Sequence, residues 1–199
     1  MLFLEAIAKI PIILGSQSPR RKELLSSLDL NFEIVVREID ESIPAGVLAE
    51  DAAEYIAVEK IKAFAELSFS EHIVITADTV VVDGEGTVLG KPKNIEEARM
   101  VLSGLSGKSH CVYTGVAVAY HGEIRSFTCE TIVRFRTLDK EEIEYYLNKY
   151  KPYDKAGSYG IQEWIGRIGV DAIEGSFENV VGLPTARLYD ELKRIVLSL

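Results

Sequence analysis

Cysteine, histidine, positive charge and long apolar runs are all scarce in this chain of 199 residues, and each scarcity closes off a class of function. There are two cysteines, Cys111 and Cys129, with no CxxC spacing. Both fall in strand-like runs and read as reduced, buried thiols of an intracellular protein rather than as a disulfide framework. Three scattered histidines added to these do not make a zinc set. Lysine and arginine number 22 against 31 acidic residues, for a net charge of −9. That balance excludes the basic footprint of a nucleic-acid binder, although a small polyanion responds to a local cluster and not to the total. No apolar run is long enough to cross a bilayer. The opening Met1-Leu-Phe-Leu-Glu-Ala-Ile-Ala-Lys-Ile-Pro11 carries Glu5, lacks a basic leader and is too short for a signal peptide. The expectation is a cytoplasmic protein with no membrane partner. Repeats and low-complexity tracts are absent. So are a Walker A sequence, a dinucleotide fingerprint and a G-x-S-x-G elbow; Gly104-Leu-Ser-Gly107 does not have the last of these spacings.

What is present is the ordinary composition of a globular α/β protein, 47% hydrophobic and 27% charged. Its length suits one large domain or two small lobes. The organising stretch is Pro11-Ile-Ile-Leu-Gly-Ser-Gln-Ser-Pro-Arg-Arg-Lys-Glu-Leu-Leu25. Ile10 to Leu14 reads as a buried strand, Gly15 ends it, and Pro19 suits the first position of a helix. Downstream, Phe32 to Arg37 reads as a strand and Glu38 to Val47 as an acidic loop. Leu48 to Phe69 has helical spacing, and His72 to Val82 is a long strand. Thr87 to Leu89 returns after a turn. Asn94 caps a helix through Leu102. His110 to Tyr120 and Glu123 to Arg136 form a hairpin about His121-Gly122. Thr137 or Asp139 caps a helix to Tyr150, Lys151 to Gln162 is irregular, and Arg167 to Ile173 reads as a strand. Asn179 to Pro184 reads as an apolar strand turning into a final helix that starts at Pro184. Helices at both ends and hairpins between them predict a mixed sheet with helices packed on it.

A strand, a small-residue turn and a helix opening with cations form a natural anion site. Ser16, Ser18 and the free N–H groups of the turn would contact the anion. Arg20 and Arg21 oppose the helix dipole, so a bound phosphate or a solvated Arg-Arg-Lys face must account for them. Asp78 sits inside Ile73-Val-Ile-Thr-Ala-Asp-Thr-Val-Val-Val82, where a carboxylate is expensive unless paired or metal-bound. Alternation puts it on one face with Thr76 and Val80, and Thr79 on the other. It is either a lysine-paired structural aspartate or a base or metal ligand at a strand end. Lys91 in Gly90-Lys-Pro92, Lys60 in its helix and Glu41 in its acidic loop are each ambiguous alone, and a solvated side chain explains each. Asp154-Lys-Ala-Gly-Ser-Tyr-Gly-Ile-Gln162 is either a surface loop or a close backbone approach to a ligand, with Gln162 suited to the edge of a planar base.

Six ordered segments together resemble the Maf family of nucleoside triphosphate pyrophosphatases, over Ile12 to Leu197. They are Ser16-Gln-Ser-Pro-Arg-Arg21, Ala77-Asp-Thr-Val80, Gly90-Lys-Pro92, Leu102 to Gly107 with His110, Asp154-Lys-Ala-Gly157 with Gly160-Ile-Gln162, and Val181-Gly-Leu-Pro184. The resemblance implies one Maf-like domain over residues 1–199. Its fold would be related to the inosine-triphosphate pyrophosphatases: a mixed twisted sheet flanked by helices, in two lobes with a central cleft. It implies hydrolysis of a nucleoside triphosphate to the monophosphate and pyrophosphate with Mg²⁺ or Mn²⁺. The family's proton acceptor falls on Asp78, its loop glutamate on Glu41, and its lysines on Lys60 and Lys91. Positions tied to base choice fall on Arg20, Thr79 and Gln162, a combination similar to the subgroup that prefers dTTP and UTP. Gly15 and Thr76 depart from the usual residues, and Glu163 to Glu174 matches no motif.

Residue chemistry and resemblance together give a mechanism. Arg20, Arg21, Lys60, Lys91 and Lys155 would neutralise the triphosphate. Asp78 and Glu41 would hold the metal, and Asp78 would orient or deprotonate water. Thr79 and Gln162 would read the pyrimidine edge, including that of modified nucleotides. The rival reading is a non-catalytic nucleotide-binding regulator of cell division, for which Asp78 is superfluous. A transferase would show dependence on a second substrate. A homodimer is compatible with all three.

Overall fold

The computed structural model describes residues 2–65 and 69–197. The apolar run before Gly15 forms β1 (Ile12–Leu14), buried at all three positions. It pairs in parallel with β2 (Glu33–Ile34) and with β3 (Ile73–Val82), Ile13 lying opposite Glu33 on one side and Val74 on the other. The remaining strands are β4 (Val88–Leu89), β5 (Ser109–Tyr120), β6 (Glu123–Phe135) and β7 (Val170–Glu174). β4 and β7 run antiparallel to β3 and β6. The sheet order is β2-β1-β3-β5-β6-β7, with β4 attached to β3, so the sheet is mixed as the sequence predicts. The β5–β6 hairpin closes through His121 (φ 48°) and Gly122 (φ 82°), the paired positive φ values of a two-residue turn.

The chain divides into two compact units. The first comprises Met1–Asp78, Thr114–Cys129 and Gly182–Leu199, the second Thr79–Tyr113 and Glu130–Val181. In the first unit, strand alternation sorts the core into two layers. Ile73, Ile75 and Ala77 of β3 join Ile12 and Leu14 of β1 under α1 (Phe3–Ile7), α2 (Pro19–Ser26) and α8 (Thr185–Leu197). The intervening residues Ile13 and Val74 face the other way. They pack with Ala57, Ile61 and Phe64 of and just beyond α3 (Ala52–Lys62). Val74, Thr76 and Asp78 of β3 therefore look at α3. The helix comes close enough that a Cβ built on Gly115 of β5 would lie 2.1 Å from the Glu54 backbone nitrogen. Glu54 itself accepts hydrogen bonds from Ser126 (2.7 Å) and Thr128 (2.6 Å) of β6.

The second unit contains α4 (Ile95–Leu105), α5 (Lys140–Tyr150), α6 (Trp164–Gly169) and α7 (Phe177–Val181). Asn94 caps α4, its side chain accepting from the Glu97 N–H at 2.8 Å, and the Asp139 N–H donates to Glu142 at 2.9 Å at the start of α5. Arg99 of α4 and Glu144 of α5 form a two-point ion pair.

Several expectations about elements are corrected. The expected strand from Arg167 to Ile173 begins at Val170, because Trp164–Gly169 is helical; a Cβ on Gly166 would stand 2.0 Å from the Ile161 carbonyl oxygen, so that helix coils against the preceding chain. The expected strand at Asn179 is helix α7. The Ser176 hydroxyl accepts from the Asn179 N–H (3.2 Å), and the Asn179 amide donates to Val112 O and Thr131 Oγ1, both at 3.0 Å. Helix α1 was not legible, and β2 covers two of the six residues expected. The helix expected over Leu48–Phe69 is realised as α3; residues 66–68 lie outside the described residues. Cys111 and Cys129 are free thiols but half-buried rather than buried.

His110, buried on β5, packs edge-on against Phe135 and Tyr159, with Nε2 2.8 Å from the Tyr159 hydroxyl and Nδ1 unpartnered. Burial pushes its pKa down from 6.5 to about 4. A histidine held neutral in this way contributes stability that is present above pH 6.5 and lost as pH falls toward 4. By linkage the loss attributable to His110 reaches about 2 kcal/mol at pH 5. His110→Gln should be less stable at pH 7 yet lose about 2 kcal/mol less between pH 7 and 5, as read from urea unfolding at the two pH values.

Candidate active site

The turn after β1 is built by its own small residues. Ser18 caps α2, its hydroxyl accepting from the Arg21 N–H at 3.4 Å, and Pro19 occupies the first turn. The Ser16 hydroxyl accepts from the Ser18 N–H (3.3 Å) and from Arg21 Nη1 (3.4 Å). Arg21 is anchored at its other end, where Nε donates to the Gly182 carbonyl at 2.8 Å. Gly182 has φ +125°, a conformation that favours glycine, and it directs that carbonyl at the guanidinium. Burial holds the Arg21 guanidinium below the usual arginine range. Asp78 and Glu41 pull it up, and the neighbouring charge of Arg20 pulls it down. Arg20, Arg21, Glu41 and Asp78 thus share one electrostatic neighbourhood.

Lys60 joins them. It projects from α3 toward the even-numbered face of β3, and its Nζ lies 2.7 Å from Asp78 Oδ1 and 2.8 Å from Glu41 Oε1. The Lys60 and Asp78 side chains are each about 15% exposed, so the pair is well shielded from water, whereas Glu41 reaches in from an exposed loop. Asp78 is therefore lysine-paired, and the lysine is Lys60, which the helix pattern alone left as a solvated side chain. Lys60 is shared by the two carboxylates, and Arg20 and Arg21 lie in the same electrostatic neighbourhood.

In the second unit, the segment from Asp154 to Gln162 winds through a 3-10 turn at Ala156–Ser158, with Gly157 at φ +69° and Ser158 at φ +60°. A Cβ on Gly157 would come within 3.0 Å of the Val81 side chain. Glu163 fixes this loop from below. Tyr146 of α5 donates its hydroxyl to Glu163 Oε2 and accepts the Gly160 N–H at 3.0 Å. Lys155 Nζ lies 3.1 Å from Glu163 Oε1 and 2.8 Å from Asp154. Gln162 is exposed, Thr79 half-buried, and Lys91 exposed with no ion pair among the described residues.

The family model for Maf-like protein matches residues 11–195. The chain belongs to the Maf family. A protein of Porphyromonas gingivalis (strain W83) named dTTP/UTP pyrophosphatase is 51% identical over 193 residues, covering 96% of each chain. One of the same name from Phocaeicola vulgatus is 51% identical over 193 residues, which are 96% of this chain and all of the relative. A solved structure of a nucleoside-triphosphatase / dITP/XTP pyrophosphatase from Mycobacterium abscessus has a TM-score of 0.48 and 14% identity, covering 94% of this chain and 98% of that one. Likeness at that level is silent on the chemistry.

Within this Maf-family chain, Ser16, Ser18, Arg20, Arg21, Glu41, Lys60 and Asp78 belong to the first unit, and the last three converge on one another. Thr79, Lys91, Lys155 and Gln162 belong to the second unit. Lys155, expected to meet phosphate, has its charge matched internally and holds its own loop. Glu163 and Tyr146 were missed. The only signal for Glu163 was a carboxylate directly after Gln162 in a glycine-rich loop. Among the described residues no group of three or more His, Cys, Asp or Glu could hold a metal. Asp78 and Glu41 do converge on one cation, the Lys60 ammonium. Two carboxylates fit a Mg²⁺ or Mn²⁺ that completes its shell with substrate phosphates and water, not a closed protein cage.

Removing the Tyr146 hydroxyl strands the buried Gly160 N–H and one oxygen of Glu163. Tyr146→Phe should therefore cost about 1–3 kcal/mol of unfolding free energy, measured by denaturant titration against the parent chain.

Proposed function

We propose that this chain hydrolyses nucleoside triphosphates, dTTP and UTP before others, to the monophosphate and pyrophosphate. The observation that carries the reading is the convergence of Glu41, Lys60 and Asp78 beside Arg21. It is supported by 51% identity to proteins named dTTP/UTP pyrophosphatase over nearly the whole length.

In this reading the turn of Ser16 and Ser18, with Arg20 and Arg21, receives the polyphosphate through its N–H groups and cations. Lys60, fixed between two carboxylates, presents its charge to the phosphates without reorganising. Asp78 orients a water toward the α-phosphorus and takes its proton. The new bond forms between that water oxygen and phosphorus, and the bond to the oxygen bridging the α- and β-phosphates breaks. The electron pair leaves with pyrophosphate. Asp78 and Glu41 would also hold a divalent metal, Mg²⁺ or Mn²⁺, which when bound neutralises charge on the leaving group. Lys91 adds a further cation for the phosphates. Thr79 and Gln162 read the pyrimidine edge, and Arg20 contributes to the same choice; Gln162 offers one donor and one acceptor group on a loop held rigid by Glu163 and Tyr146.

A panel of normal and modified triphosphates with Mg²⁺, scored for pyrophosphate, tests the reading. Pyrophosphate plus monophosphate is expected, with dTTP and UTP turned over faster than purine nucleotides. Orthophosphate plus a diphosphate overturns it. Asp78→Asn should lower kcat by about 10²- to 10⁴-fold while nucleotide binding, measured by calorimetry, persists; full turnover in that variant removes Asp78 from its role.

A further inference from the structure

The ion pair at the candidate site depends on how α3 is seated on β3, and most of that seat is apolar. Ile13, Ala57, Ile61, Phe64, Val74 and Ala117 form it. Apolar packing is not directional and does not by itself fix a helix along a strand to a fraction of an ångström. One polar contact in the seat is directional. Thr76, fully buried on β3, donates its hydroxyl to the Ala57 carbonyl of α3 at 2.7 Å. Thr76 precedes Asp78 by two residues on the same strand face. Ala57 precedes Lys60 by three residues, almost one helical turn. The hydroxyl bond therefore lies one step along both elements from the Lys60–Asp78 contact, roughly 5–7 Å away.

Threonine branches at Cβ, so its hydroxyl can aim at Ala57 only if its methyl has somewhere to go. That place is Gly15. A Cβ built on Gly15 would stand 2.7 Å from Thr76 Cγ2, and 3.1 and 3.2 Å from the Phe64 ring. Gly15 is buried, and its amide donates to the Ile75 carbonyl at 2.8 Å. Its backbone is not in the left-handed region, so space and not φ demands glycine here. It is also the residue from which the turn of Ser16 and Ser18 departs.

We propose that Thr76 and Gly15 form a positioning device for Lys60 and Asp78. The glycine seats the threonine methyl, the seated threonine aims its hydroxyl at Ala57, and that bond sets the advance of α3 that puts the Lys60 ammonium on the Asp78 carboxylate. Neither residue touches the reacting atoms. The inference rests on the reading of Lys60 and Asp78 as parts of a pyrophosphatase site.

The test compares Thr76→Val, which keeps the shape and loses the hydroxyl, with Thr76→Ser, which keeps the hydroxyl and loses the methyl. Pyrophosphate release from dTTP with Mg²⁺ is the readout. Thr76→Val should lower kcat roughly 10- to 100-fold with KM changed by less than about threefold, and Thr76→Ser should recover most of kcat. Equal kcat in Thr76→Val and the parent, or no recovery in Thr76→Ser, overturns the inference. If Thr76→Val does not fold, Thr76→Ala against Thr76→Ser carries the same comparison. The contact is read separately by thermal unfolding. Gly15→Ala should lower Tm in the parent, and the loss should be at least halved in the Thr76→Ser background, where the clashing methyl is gone. An equal loss in both backgrounds overturns the coupling. A parent chain that releases no pyrophosphate overturns the proposed function and this inference with it, whereas an active parent with an unaffected Thr76→Val overturns the inference alone.

Discussion

A carboxylate in the middle of an apolar strand must be matched by a cation, and the first unit is arranged around that requirement at Asp78. β3 is covered on both faces, so Asp78 has little access to water and needs its partner from a neighbouring element. The partner is Lys60, which fixes where α3 must lie: on the even-numbered face of β3, close enough for a lysine to reach. Close seating of a helix on a sheet requires small residues under it. Gly115 provides one such place, where any side chain would strike the Glu54 backbone, and Gly15 provides another, for the methyl of Thr76. The charge sets the demand, and the glycines make the geometry sterically available.

Elements with a chemical start signal were legible in the sequence. Pro19 at the start of α2, the Asn94 cap of α4, the Asp139 cap of α5 and the His121-Gly122 turn each have a local cause, and each stands where that cause puts it. Short helices without one were misread. Helices α6 and α7 have six and five residues, too few for helical periodicity to separate from the alternation of a strand, and their Val, Ile and Trp content favours the wrong answer. Helix α7 is decided instead by the buried amide of Asn179, whose acceptors Val112 and Thr131 lie far away in the chain.

The site shows the same division. Asp78 was conspicuous because a charge interrupts a buried pattern. Lys60 was not, since helical spacing gives the face a residue lies on but not what waits opposite that face; the resemblance to a family singled it out. Glu163 and Tyr146 were invisible because their meaning is mutual: a tyrosine on one helix and a glutamate 17 positions later close a hydrogen-bond chain through Gly160 and Lys155. Gly15 and Thr76 stood out only as separate departures from a pattern. Sixty-one residues apart, they acquire a joint sense once β1 and β3 lie side by side.

The charges also bear on why an acidic protein would act on a polyanion. The total of −9 belongs to the whole chain, while Arg20 and Arg21 lie in one electrostatic neighbourhood with Glu41 and Asp78, and Lys60 is paired with both carboxylates. The two carboxylates keep Lys60 and Arg21 in place, since a buried guanidinium or ammonium without a counter-charge would be driven toward neutrality. A triphosphate brings several negative charges, more than cations already engaged with carboxylates can match. Adding further lysines at the same point would raise mutual repulsion in the free protein. A divalent cation that arrives with the substrate avoids that repulsion, and carboxylates already converging on a positive charge are the ligands it would need. A divalent metal would in this way supply positive charge that cations already held by carboxylates do not.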